Sequence, residues 1–302
     1  ISKWGHDFRP SYQSVIQKVF TLPQNFTIVA LTATATAEVQ QDIMSKLSIG
    51  QNDVVKTSTK RRNLIFKVNP TYQRQKFVVD YVANHEGQAG IIYCSTRKQV
   101  EELHEALNSE KIKSTIYHAG LTNKERIEAQ NDFLYDRVEV VIATNAFGMG
   151  IDKSNVRYVI HYNMPGDLES YYQEAGRAGR DGLKSECILL FSERDKGLHE
   201  YFITVSQADD DYKDKMGEKL TKMIQYTKTK KCLEATIVHY FEPNENLEEC
   251  NQCSNCIQEN KTYDMTREAK MIISCIARMK QQENYSVIIQ VLRGEVTDYI
   301  KH

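Results

Sequence analysis

From Asn63 to Phe191 the chain alternates short, apolar, often β-branched runs with segments of helical spacing, and this alternation restricts the fold more than any other feature. Strands are predicted at Leu64–Val68, Ala89–Cys94, Ser114–Tyr117, Val138–Ala143, Val156–His161 and Glu186–Phe191. Helices are predicted at Gln73–Asn84, Arg97–Asn108, Asn123–Leu134 and Leu168–Gly176. Strands that alternate with helices imply a mostly parallel sheet covered on both faces. Upstream, Thr27–Thr32 has strand character and ATATAEVQQDIMSKLSI has helical spacing, so a further strand-to-helix unit is expected there.

Beyond this region the pattern changes. SQADDDYKDK is acidic and polar and the apolar strands stop, which sets a domain boundary near Ser206. A helix is expected from about Tyr212 to Lys231, an amphipathic one over MTREAKMIISCIARMK with Thr266 as cap, and another beginning at YSVIIQVLRGE. A length of 302 residues suits two or three domains, and 41% hydrophobic residues suffice for a core. Seven cysteines, no signal pattern and no apolar run near the roughly 20 residues that span a bilayer point to a reducing, soluble compartment. A net charge of -1 gives no global attraction to a polyanion, so contacts with nucleic acid must come from local basic or aromatic groups. The opening at Ile1 without a methionine suggests a piece of something longer.

Cys250, Cys253 and Cys256 form a C-x2-C-x2-C run, with Cys232 upstream. Four soft thiolates at such spacing suit a closed, tetrahedral, structural zinc site. Unrelated buried thiols are the blander explanation, but a polar loop is poor core material. Cys94, Cys187 and Cys275 sit in apolar runs and read as buried thiols.

SYYQEAGRAGRDG places Gln173, Arg177 and Arg180 four and three residues apart, along one face of a helix and its C-terminal turn. Guanidinium forks held together suit the charge on a transferring phosphoryl group. Two arginines on a helix are more often a solvated face; glycines at 176, 179 and 182, which permit close backbone approach, shift that balance. In IATNAFGMGID a strand runs into a loop with Gly148 and Gly150 and ends at Asp152, where α/β sheets bind ligands, although an ordinary tight turn would look the same. YCSTRKQ and YHAGL also follow strands. ISKWGHDFRPSY gathers Trp4, His6, Phe8, Arg9 and Tyr12, which could stack on bases or belong to a core.

Taken together, these segments resemble the RecQ family of superfamily-two DNA helicases over nearly the whole chain. WGHDFRP is similar to the family's aromatic-rich loop, LTATAT to its third helicase motif and IIYCSTR to its fourth. ATNAFGMGIDKSNVR is similar to the fifth motif and QEAGRAGRDG to the sixth, while the cysteines and VLRG resemble the zinc-binding module and the start of the winged helix. The implied fold is α/β, with RecA-like helicase lobes built on parallel sheets, followed by a helical zinc-binding module and the start of a winged helix. Residues 1–62 would be the C-terminal part of lobe one, 63–205 lobe two, 206–262 the zinc-binding module and 263–302 a partial winged helix.

The resemblance implies a motor that hydrolyses ATP with Mg2+ between two lobes, translocates 3′ to 5′ on DNA and unwinds duplexes in repair and recombination. Carried onto this chain, Arg180 is the implied arginine finger, Arg177 its neighbour and Gln173 a helper at the nucleotide cleft, to which Gly150 and Asp152 also belong. Trp4, Phe8 and Arg9 would sense DNA, and Thr32 and Thr34 would link the lobes. Thr96, Arg97, His118 and Thr144 would lie near the DNA path or the cleft. Implied cofactors are structural Zn2+, held by Cys232, Cys250, Cys253 and Cys256, and ATP with Mg2+. Implied partners are single-stranded DNA and duplex junctions, with a single-stranded-DNA-binding protein as a candidate. A monomer in the cytoplasm, nucleoid-associated in a bacterium, is expected.

The chain departs from a complete helicase in one respect. It contains no G-x-x-x-x-G-K-[ST] phosphate loop and no DEAH-type acidic motif, without which phosphoryl transfer lacks most of its parts. The expectation is a chain truncated at both ends and inactive alone, whose parent is an ATP-dependent DNA helicase. A non-catalytic, zinc-stapled DNA-binding or partner-binding fragment is the second reading. An RNA helicase of the same superfamily is a third, opposed by Gln173 with GRAGRDG and by the four-cysteine module.

Overall fold

The computed structural model describes Lys18, Thr21 and residues 27–32, 35–148, 151–245, 248–257, 264–279 and 284–295. They divide into two compact units, Ile1–Gln258 and Glu259–His302.

In the first unit the predicted alternation forms one six-stranded, wholly parallel sheet. The strands are β1 (Leu64–Pro70), β2 (Ala89–Tyr93), β3 (Ser114–Tyr117), β4 (Val140–Ala143), β5 (Val156–His161) and β6 (Ser185–Phe191), in the order β1-β6-β5-β2-β4-β3. Helix α1 (Ala37–Leu47) precedes the sheet; α2 (Arg74–Ala83), α3 (Arg97–Ser109), α4 (Asn123–Leu134) and α5 (Leu168–Ala175) are its crossovers. Four more helices follow: α6 (Glu193–Val205), α7 (Asp210–Lys228), α8 (Leu233–Phe241) and α9 (Ser254–Ile257).

Both faces of the sheet are buried, as crossover helices require. Successive strand residues supply opposite cores: Ile91, Val159, Cys187 and Leu189 meet α5, α7 and α8 on one side, while Ile92, Ile160, Ile188 and Leu190 meet α2 and α3 on the other. Helix starts follow side-chain chemistry. Thr96 caps α3 by accepting from Gln99 N, Thr122 and Glu125 form a capping box at α4, and Asp167 caps α5 through Ser170 N at 2.7 Å. Strand β1 lies at the sheet edge, and the cysteine loop covers it: Val68 N donates to Ser254 Oγ and Gln252 Nε2 donates to Leu64 O.

The strand expected at Thr27–Thr32 does not form. Those residues are irregular and mostly exposed, with Val29 at 71% and Leu31 at 91%, because an apolar run becomes a strand only against a neighbour, and none stands beside it among the described residues. Helices α6 and α8 lie outside the elements expected from the sequence. In the second unit, α10 (Thr266–Arg278) and α11 (Tyr285–Leu292) appear where predicted. Thr266 is the first helical residue rather than the cap; Asp264 Oδ1 takes the Thr266 N–H at 3.0 Å. No helix among the described residues is long and apolar enough to cross a membrane.

Candidate functional site

β4 ends at the carboxyl rim of the sheet, and the chain then runs back toward the amino end of β5. Thr144 N donates to Tyr117 O at 3.1 Å, and the buried Tyr93 hydroxyl donates to Phe147 O at 3.0 Å. Burial raises the Tyr93 hydroxyl above the ordinary phenol range, with the nearby Arg177 charge opposing it. Phe147 is buried against Tyr117 and Phe133, so the start of the return loop is anchored in the core.

The loop receives both arginines of QEAGRAGRDG. Arg177 Nη1 donates to Gly148 O, and Gly148 has φ +149, a backbone conformation that favours glycine, with its Cα facing the Arg177 guanidinium. Arg180 Nη1 donates to Ile151 O at 2.9 Å and to Asp152 Oδ1 at 2.8 Å. Both arginines lie past the end of α5 and turn onto backbone carbonyls, so neither is a merely solvated helix position. Helix α5 is held by Glu174, whose Oε2 meets His161 Nε2 at 2.9 Å; His161 is 1% exposed and stacks on Tyr93. Gln173 is exposed on that helix. The Arg180 side chain remains 35% exposed, and a guanidinium anchored through one nitrogen keeps further donors for an anionic ligand.

A second group gathers at the carboxyl rim. Thr96 and Arg97 start α3, and His118 and Gly120 follow β3. A Cβ on Gly120 would lie 3.1 Å from both Arg97 Nη1 and His118 Nδ1, so these side chains converge there. His118 is 3% exposed, with Nε2 3.5 Å from Glu101 and Nδ1 accepting from Gly120 N, so it shapes the rim from beneath. Thr144 closes the row. Thr32 is exposed and irregular, whereas Trp4, Phe8, Arg9, Thr34 and Gly150 lie outside the described residues.

The third group is the cysteines. The sulfurs of Cys232, Cys250, Cys253 and Cys256 all lie within 4.8 Å of one another, with separations of 3.5 Å (Cys253–Cys256), 3.9 Å (Cys250–Cys256) and 4.0 Å (Cys232–Cys253). Tetrahedral Zn–S bonds of about 2.3 Å place sulfurs about 3.8 Å apart, so the donor set fits structural zinc. Backbone donors surround it: Ala235 N and Cys250 N point at Cys232 Sγ, Cys253 N at Cys250 Sγ and Leu233 N at Cys253 Sγ. Such N–H···S bonds stabilise thiolates and fix their direction. Without a metal, burial pushes the Cys250 thiol up to about 11. At Cys253 burial also opposes ionisation, but the surrounding hydrogen bonds outweigh it and lower the pKa. Cys94, Cys187 and Cys275 are buried thiols, as expected.

Sequence reading missed the groups that brace these sites. Lys153, 4% exposed at its side chain, pairs with Asp136 at 2.6 Å and lies over the Phe133 ring, holding the far end of the return loop. Arg61 and Asn63 reach the turn at Gly179 across more than a hundred residues. No local pattern signals such contacts.

Three family models match successive segments of the chain. The helicase conserved C-terminal domain matches residues 73–182, the RecQ zinc-binding domain 193–257 and the RQC domain 259–302. The "ATP-dependent DNA helicase RecQ" of Bacillus subtilis is 45% identical over 97% of this chain and 49% of its own length. The chain belongs to the RecQ family. The protein of the same name from Pasteurella multocida is 36% identical over 100% of this chain and 47% of its own. The RecQ-family chain thus spans about half the length of these curated relatives. Among solved structures, Saccharomyces cerevisiae Dbp5 L327V bound to RNA and ADP BeF3 superposes with a TM-score of 0.51 at 22% identity, covering 72% of this chain and 60% of that one. That likeness establishes the fold: a parallel sheet flanked by helices, as in the C-terminal RecA-like lobe of helicases.

Proposed function

We propose that this chain carries the end of lobe one, lobe two, the zinc-binding module and the start of the winged helix of an ATP-dependent DNA helicase, which moves 3′ to 5′ and acts in repair and recombination. The complete protein would supply the phosphate loop and the carboxylate that holds Mg2+. The observation that carries the reading is Arg180, anchored by Ile151 O and Asp152 yet part-exposed, in a chain 45% identical to a protein named as a DNA helicase. Arg180 acts as the arginine finger, Arg177 sets the return loop against it, and Gln173 and Asp152 border the nucleotide. The rim formed by Thr96, Arg97 and Thr144, braced by His118, faces the DNA backbone; a helix N-terminus suits phosphate. Zn2+, when bound by Cys232, Cys250, Cys253 and Cys256, contributes folding energy and takes no part in hydrolysis. We place the protein in the cytoplasm as a monomer.

The test is DNA-stimulated ATPase activity of the 302-residue chain beside the complete protein, with zinc measured in both. An inactive chain and an active complete protein, each near one zinc, support the reading. Inactivity in both favours a zinc-stapled DNA-binding or partner-binding module, which the missing phosphate-loop motif also allows. Activity in the short chain contradicts the assignment of the missing parts.

A further inference from the structure

The two arginines are separated by a turn at Gly179, and that turn is held from outside its own motif. Gly179 has φ +58, and its N–H donates to Val156 O at 2.9 Å. Its carbonyl accepts from Asn63 Nδ2 at 2.8 Å and from Arg61 Nη2 at 3.0 Å. Arg61 Nη2 also reaches Ala178 O at 3.3 Å, and Arg61 Nε donates to Asn63 Oδ1 at 3.4 Å, which sets the orientation of the amide. Asn63 Nδ2 bonds Leu183 O as well, so the one amide group ties both ends of the turn that contains Arg180. The fit is close: a Cβ on Gly179 would come within 2.4 Å of Asn63 Nδ2.

The strap that carries Arg61 and Asn63 is itself fixed on its far side by the zinc-bearing segment and by α5. Glu242 Oε1 accepts from Thr59 N at 2.7 Å, the Tyr172 hydroxyl donates to Thr59 O, and Gln252, next to Cys253, donates to Arg62 O at 2.9 Å. Residues 59–64 therefore form a continuous link from the cysteine knuckle to the arginine turn.

We propose that Asn63 and Arg61 are positioning residues for ATP hydrolysis: they lock the Gly179 turn and thereby aim Arg180, with the zinc knuckle bracing the strap that carries them. This rests on the assignment of Arg180 as the finger. Neither residue touches the Arg180 guanidinium, so each acts through the backbone. A displacement of about 1 Å at a catalytic group can cost a hundredfold in rate.

The experiment is steady-state, DNA-stimulated ATP hydrolysis by the complete protein carrying Asn63→Ala, Asn63→Asp, Arg61→Lys or Arg180→Ala, with zinc content and Tm recorded for each. Asn63→Asp keeps the volume but replaces the donor with a carboxylate aimed at two carbonyls. The expected result is a kcat lowered about 10- to 100-fold in both Asn63 variants, with KM for ATP and zinc content unchanged and a smaller loss in Arg61→Lys. Wild-type kcat in Asn63→Asp and Arg61→Lys, with Arg180→Ala inactive, overturns the positioning role and leaves the finger standing. Full turnover in Arg180→Ala overturns the finger, and the positioning role with it. If Asn63→Ala does not fold, the decision rests on the isosteric Asp and on Arg61→Lys; a fall in kcat and Tm together with lost zinc marks a purely structural role and contradicts the proposal.

Discussion

Arg180 Nη1 stands 2.8 Å from Asp152 Oδ1, and the Asp152 side chain is 90% exposed. An ion pair with one member so open to water has little hold on the guanidinium. The firmer tie is the Ile151 carbonyl at 2.9 Å, which keeps Arg180 in place while leaving its charge available to a stronger anion such as a triphosphate.

Asp152→Asn should therefore leave stability nearly unchanged, because exposed pairs contribute about 0–1 kcal/mol. Thermal denaturation checks this. A fall in Tm of more than about 4 °C would mean that the pair holds the return loop in the folded state.

Cys253→Ser removes one of four zinc ligands at a residue that is 0% exposed. The expected outcome is loss of stoichiometric zinc and a Tm lower by on the order of 10 °C, and chelation of the wild-type protein should reproduce both. Unchanged Tm with no metal bound would show that packing alone holds the knuckle.

Lys153 is almost fully buried, and its partner Asp136 has a carboxyl held below the usual range by the hydrogen bond from Lys153. A depressed carboxylate pKa gives stability that is present above the unfolded-state value, about 3.9, and is lost as pH falls through the folded-state value. Asp136→Asn should thus be less stable than wild type at pH 7, by about 1 kcal/mol given how open Asp136 is to solvent, and the gap should close below about pH 4. Urea titrations at several pH values read the difference directly. A gap independent of pH would assign the effect to packing.

The sheet was legible because periodicity is local. β3, α4 and β5 begin and end at the predicted residues, and the other strands differ by a few positions. The cysteine site was legible because its spacing encodes its geometry. Thr27–Thr32 misled because strand propensity is fulfilled only by a neighbouring strand, and Thr266 misled because Asp264 supplies the acceptor instead. The bracing of the arginine turn left no trace in local sequence. Arg61 and Asn63 lie in a basic, polar stretch that looks solvated, and their partners at Ala178 and Gly179 lie more than a hundred residues away.

The most direct measurement is the rate of DNA-stimulated ATP hydrolysis by the complete protein with Arg180 and with Arg180→Ala, alongside DNA affinity for both. The account predicts a loss of at least a thousandfold in kcat, in the range that arginine fingers supply, with DNA affinity retained. Equal loss of hydrolysis and DNA binding, or turnover that survives the substitution, would contradict it.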